Sequence, residues 1–130
     1  MNFLIPLNTK AQRTTQVDEA LTAEQIGSGN LPVLATPMMI ALMEAAALDA
    51  VQSYLSKGWT TVGTRVDVEH VRPTPVGEEI TAEADLIKVE DRVLEFSVKA
   101  RDKKGIIGQG THHRFIIEID EFQARLKEKD

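Results

Sequence analysis

Three side chains in this sequence are placed to act as acid, base or nucleophile: a glutamate inside an alanine-rich apolar run, a histidine closing a row of valines, and a threonine just ahead of a proline. Glu44 has Ile40, Ala41, Ala47 and Leu48 three and four positions away, so it finds no charge partner on its own helix face. A carboxylate buried in such surroundings is costly unless it is paired, hydrogen-bonded or neutralised. That makes Glu44 a candidate general base, the alternatives being a solvent-facing position or a structural pair with an arginine from a sheet. His70 ends the alternating series Val62, Thr64, Val66, Val68 and so reads either as a satisfied core histidine or as the acid-base group of a site. Thr36 is either a helix N-cap or a hydroxyl nucleophile.

A helix start is where these groups could share one chemistry. Its free N–H groups and the positive end of its dipole polarise a carbonyl and stabilise the oxyanion formed on attack. Pro37 has no N–H, which assigns those donors to Met38 and Met39. Thr36 and Glu44 are eight residues apart, about 12 Å along a helix axis, too far for a direct pair. Either substrate or water spans them, or one of them works with a group from a second subunit. Gly63, in a strand rich in β-branched residues, marks a close approach of backbone or ligand, or else a bulge. A metal site is rejected because His112 and His113, as strand neighbours, point to opposite faces. Gly108-Gln109-Gly110 lacks the lysine and following helix of a phosphate loop.

The elements that must hold these groups follow from period and punctuation. Thr36 to about Ser56 predicts a helix with Thr36 at the N-cap, Pro37 at the first turn and Lys57-Gly58 at its end. Met38 to Leu48 is apolar all round except at Glu44, which predicts a helix buried on every side. Ala11 to Val17 reads as a first strand, Thr22 to Gln25 as a helical turn, and Gly27-Ser28-Gly29-Asn30 with Pro32 as a loop. Four strands follow the helix. The first runs from Thr61 to Val71, with Arg65, Asp67 and Glu69 opposite the valine face. The next two alternate Ile80, Ala82, Ala84, Leu86 and then Leu94, Phe96, Val98, Ala100. The last spans Ile106 to Ile119, with His113, Phe115, Ile117 and Ile119 on one side and His112 and Arg114 on the other. Turns fall at 72–77, Glu90-Asp91 and 102–105. One long buried helix followed by an antiparallel meander is an α+β, hot-dog arrangement in which the sheet wraps the central helix. Its open edges predict pairing with a second copy. The charged stretch 121–130 has helix formers but little to bury and reads as surface.

Composition limits the remaining choices. The 130 residues suit one domain, 1–130, and 42% hydrophobic with 27% charged residues is ordinary globular usage. The net charge of -5 argues against a nucleic-acid surface, though a local basic patch for one polyanionic ligand is compatible with it; Arg72, Arg92, Lys103, Lys104 and Arg114 are the candidates. With no cysteine there is no disulfide, thiol nucleophile or thiolate metal site. The start Met1 to Pro6 lacks a basic n-region, and Glu44 and Asp49 interrupt the apolar stretch, so neither a signal peptide nor a membrane span is expected and a cytoplasmic location is the default.

Thr36-Pro37-Met38-Met39-Ile40-Ala41-Leu42-Met43-Glu44-Ala45, Val62-Gly63-Thr64, Val68-Glu69-His70 with Pro73, Pro75 and Gly77, and Gly108 to Arg114 together resemble the fluoroacetyl-CoA thioesterase-like branch of the hot-dog superfamily. The resemblance covers about residues 30 to 125. It implies an acyl-CoA thioesterase that releases free acid and CoA, with Thr36, Glu44 and His70 as hydroxyl, carboxylate and imidazole. It further implies Gly63 beside the acyl group, Arg114 near the CoA, a homodimer with sites near the subunit interface, and no cofactor beyond the CoA of the substrate. Where fluoroacetyl specificity goes with phenylalanines before the helix, this chain has Gly27-Ser28-Gly29-Asn30, which leaves the acyl group open. Small residues at Ala35, Ala41 and Ala45 would leave room for a short chain or serve helix packing. Met38 and Met39 would supply the oxyanion donors. The competing reading from a different class is a non-catalytic acyl-CoA-binding or sensing protein with the same pocket; a hydratase, which pairs aspartate and histidine on the helix, fits less well.

Overall fold

In the computed structural model, which describes residues 3–128, a five-stranded antiparallel sheet curves around one long helix. The chain runs through β1 (Lys10–Gln16), a 3₁₀ turn at Glu19–Leu21, α1 (Ala23–Ile26), α2 (Thr36–Gln52), β2 (Trp59–His70), β3 (Glu79–Glu90), β4 (Val93–Asp102), β5 (Gly105–Glu118) and α3 (Ile119–Lys127). The sheet order is β1-β3-β4-β5-β2, so β1 and β2 are its edges. This is the hot-dog arrangement expected from the sequence. The inner faces of β3 and β4 are the predicted ones: Ile80, Ala82, Ala84 and Leu86 pack beside Leu94, Phe96, Val98 and Ala100. Against them α2 lays Met39, Met43, Ala46, Ala47, Ala50 and Val51. Alanines on both layers let helix and sheet approach closely, and each fully buried large side chain between them contributes about 1.5–3 kcal/mol.

Three expectations are corrected, and β5 adds a fourth observation. The helix is buried on one face only in this chain: Ala41 is exposed, and Ile40, Leu42, Glu44, Ala45 and Leu48 are half-buried. It ends at Gln52, because the amides of Tyr54 and Leu55 turn back to the carbonyls of Val51 and Gln52 in a tightened last turn. The Gln52 side chain then joins the start of β2 by accepting from Thr60 Oγ1 and donating to the Trp59 carbonyl. In β2 the register shifts between Gly63 and Arg65, so Thr61 and Gly63 share the helix-facing side with Val66, Val68 and His70, and the simple alternation through Val62 and Thr64 does not hold. In β5 the inward face is Gly108, Gly110, His112, Arg114 and Ile116, while Phe115 is 37% exposed. The apolar-looking side therefore faces out, and the side bearing histidine and arginine faces in. The turns fall as expected, with Gly77, Asp91 and Gly105 in the left-handed region. The C-terminal stretch forms α3, which buries no side chain. Met1, Asn2, Lys129 and Asp130, on which the expectations for the two ends of the chain partly fall, lie outside the described residues. Among the described residues, no helix is long and apolar enough to cross a membrane.

Candidate active site

The start of α2 is set by Ala35, whose extended backbone is the N-cap, with Thr36 the first helical residue and Pro37 in the first turn. Thr36 was expected at the cap itself. Its hydroxyl makes no capping bond and instead meets the imidazole of His70, Oγ1 to Nδ1 at 2.7 Å. The bond closes because β2 runs back along α2, and the shift in its register turns His70 inward at the strand's end. Burial pushes His70 below the usual histidine range, with the Arg72 backbone offsetting part of that effect. The neutral imidazole is therefore favoured, and its Nδ1 can accept the threonine proton. The ring Nε2 is buried and has no hydrogen-bond partner among the described residues.

The oxyanion donors differ from those expected. The amides of Met38 and Met39 both bond to the Ala35 carbonyl, at 3.0 and 3.1 Å, so neither is free for a substrate. Pro37 contributes none, which leaves the Thr36 amide as the unpaired donor of this first turn among the described residues. Thr36 and His70 line a cleft of about 550 Å³ together with Ser28, Val33, Leu34, Pro37 and Arg72. Of the three alanines expected to shape an acyl pocket, Ala35 is buried beneath the helix start, whereas Ala41 and Ala45 face a separate groove with Thr15, Leu21, Met38 and Leu42. At the cleft's rim Arg72 pairs with Asp102 at 2.8 Å.

Glu44 lies two helical turns further on, in a second cluster. Its carboxylate stands 3.7 Å from Arg114 Nη1 with the side chain 39% exposed, so it has the arginine partner that its own helix denied it. Gly63 faces the same carboxylate: a Cβ there would sit 2.6 Å from Glu44 Oε2 and 3.2 Å from His112 Cε1. Gly63 is thus both a close-approach glycine and the beginning of the irregular stretch of β2. Arg114 does not lie at the surface where a CoA phosphate would meet it. It is 7% exposed, donating from Nε to Thr61 Oγ1 (2.7 Å) and from Nη2 to the Thr61 carbonyl (2.9 Å). Its Nη1 also donates to His112 Nε2 at 3.2 Å. Of the other basic candidates, Arg92 stacks over Trp59 and Lys103 pairs with Glu78.

Thr61 and His112 belong to this cluster but were not among the site residues expected from sequence; His112 was weighed only as a metal ligand. The usable signal was the alternation Gly108, Gly110, His112, Arg114: glycines on one face of a strand mark a close approach, and a Cβ at Gly108 would lie 2.5 Å from Met39 Sδ. His113 points the other way, 3.5 Å from Glu95, as the strand pleat requires.

Comparison with known proteins identifies the family of this fold. A family model for a fluoroacetyl-CoA-specific thioesterase matches residues 17–120. The fluoroacetyl-CoA thioesterase of Streptantibioticus cattleyicolor is 40% identical over 97 residues, 75% of this chain and 70% of that protein. The solved fluoroacetyl-CoA thioesterase FlK superposes with a TM-score of 0.89 at 32% identity, covering 96% of this chain and 97% of the other. A thioesterase superfamily member from Thermus thermophilus gives 0.88 at 28% identity, covering 97% and 96%. A point variant of FlK has been solved with acetyl-CoA. With the sequence match spanning most of the chain and the superposition nearly all of it, the chain belongs to the fluoroacetyl-CoA-specific thioesterase family.

Proposed function

We propose that this thioesterase hydrolyses a short-chain acyl-CoA to the free acid and CoA, with Thr36 as nucleophile and His70 as its base. The observation that carries the reading is the 2.7 Å bond between Thr36 Oγ1 and His70 Nδ1 at the mouth of a cleft. Thr36 Oγ1 attacks the thioester carbonyl as its proton passes to His70 Nδ1. The oxyanion is stabilised by the Thr36 amide and the positive end of α2. Collapse breaks the C–S bond, and His70 returns the proton to the departing thiolate. Water then cleaves the acyl-threonine ester, activated by Glu44. The short acyl group is supported by the relatives named for fluoroacetyl-CoA and by the FlK variant bound to acetyl-CoA.

Glu44 and the Thr36–His70 pair sit about 12 Å apart along one helix, so the two clusters of a single chain do not act on one carbonyl. The proposed unit is a homodimer in which Glu44 of one subunit faces Thr36 and His70 of the other. The half-exposed outer face of α2 and the unpaired edge β2 support it. The test is thiol release from acetyl- through decanoyl-CoA by the wild type, Thr36→Val and His70→Ala. Turnover of the short esters should fall about 10²–10⁴-fold in both variants. No turnover of any ester by the wild type, with CoA esters still bound, would sink this reading in favour of a binding or sensing protein.

A further inference from the structure

We infer that His112 is a positioning residue for the Glu44 carboxylate, acting through Arg114; the inference rests on the catalytic role proposed for Glu44. His112 is 1% exposed, and both ring nitrogens are engaged. Its Nδ1 meets the Arg65 carbonyl at 2.8 Å, which fixes the ring proton there because a carbonyl can only accept. Its Nε2 is then an acceptor and takes a bond from Arg114 Nη1. The ring stacks on Phe96 at 6.2 Å, which fixes its plane. Burial, with the positive charge of Arg114 adding to it, pushes His112 below the usual histidine range, although the Arg65 carbonyl and Glu44 act the other way. The neutral ring is the form that this bonding requires.

The consequence concerns where the guanidinium stands. Arginine and a carboxylate left to themselves close into a two-bond fork. Here Nε and Nη2 are held by Thr61 and Nη1 by His112, so Nη1 stops 3.7 Å from Glu44 Oε2, beyond a tight hydrogen bond. Glu44 keeps the arginine's field while its oxygens stay unclamped and able to take a proton from water. His112 also joins the bulge to this restraint, since Arg65 is the residue at which the β2 register resumes and Gly63, just before the shift, lies against Glu44. One histidine thereby fixes the strand irregularity and the cation that together face the carboxylate.

The two ring nitrogens can be tested separately. His112→Gln places an acceptor near the Nε2 position, and His112→Asn places a donor near Nδ1. We expect His112→Asn to lower kcat between about ten- and a hundred-fold, the scale of a misplaced reacting group, with KM nearly unchanged. His112→Gln should retain kcat within a few-fold. Glu44→Gln, measured alongside, should keep only a small residual kcat, and adding His112→Asn to it should lower that residual no further, because both act on one group. Equal loss of kcat in His112→Asn and His112→Gln, no loss in either, or full additivity with Glu44→Gln would overturn the positioning role while leaving Glu44 catalytic. Full activity of Glu44→Gln alone would instead overturn the reading beneath it and this inference with it. If His112→Asn does not fold, Thr61→Val removes another bond of the same restraint and must show the same fall in kcat at constant KM; unchanged kcat there overturns the proposal.

Discussion

At the scale of single residues, the chemistry depends on which form of His70 is present. Its pKa is depressed by burial, and the base must be neutral to accept the Thr36 proton, so the signs are fixed. kcat/KM should fall as pH drops through the lowered His70 value, and the midpoint should lie below the ordinary histidine value of about 6.5. A pH–rate profile from pH 4 to 8 checks this, and a midpoint above 6.5 would contradict an imidazole acting as base in this setting. Thr36, Glu44 and His70 were legible in the sequence because each is a residue type out of keeping with its surroundings. What each touches was less legible. Thr36 at the cap and Thr36 one residue later look alike in sequence, and only tertiary contact with His70 settles how its hydroxyl is used. Glu44 looked unpaired because its arginine comes from a strand seventy residues away in the chain.

At the scale of elements, β3 and β4 were readable because their inner faces are purely apolar. The two strands carrying the site were not. A register shift after Gly63 breaks the period of β2, and β5 turns inward the face that bears His112 and Arg114. Local alternation says nothing about a bulge, and hydrophobicity selects the wrong face wherever function places polar groups inside. The glycines in these strands give a prediction with two distinct readouts. In Gly63→Ala the new Cβ would meet Glu44 Oε2, the far end of a flexible side chain. The carboxylate can move aside, so stability should change by less than about 1 kcal/mol while kcat falls. In Gly108→Ala the Cβ would meet Met39 Sδ at 2.5 Å and the Glu69 backbone oxygen at 2.7 Å, where the strand cannot yield cheaply. There the loss should appear as about 1–3 kcal/mol of unfolding free energy. Urea titrations beside steady-state kinetics separate the two, and the reverse pattern would show that Gly63 serves the fold and not the site.

At the scale of the whole molecule, the question is what covers the outer face of α2. The sequence reads as a helix buried on every side, yet in this chain Ala41 is exposed and Ile40, Glu44 and Leu48 are only half-buried. The pattern and the single chain agree if a second copy supplies the missing contact, with the twelve-residue β2, an edge strand, at the same junction. Such an assembly makes the proposed site composite, and complementation tests that directly. Glu44→Gln and His70→Ala should each be inactive as pure dimers. Mixed and allowed to exchange subunits, half the dimers become hybrids, and each hybrid holds one wild-type Thr36–His70 pair facing one wild-type Glu44. Activity should therefore recover to about a quarter of the wild-type value. If all three groups worked within one chain, every chain in the mixture would still lack one of them and nothing would return. Recovery thus depends only on which subunit supplies Glu44. Native mass spectrometry of the same mixture shows whether hybrids formed, so hybrids without activity would count against the shared site and not against exchange.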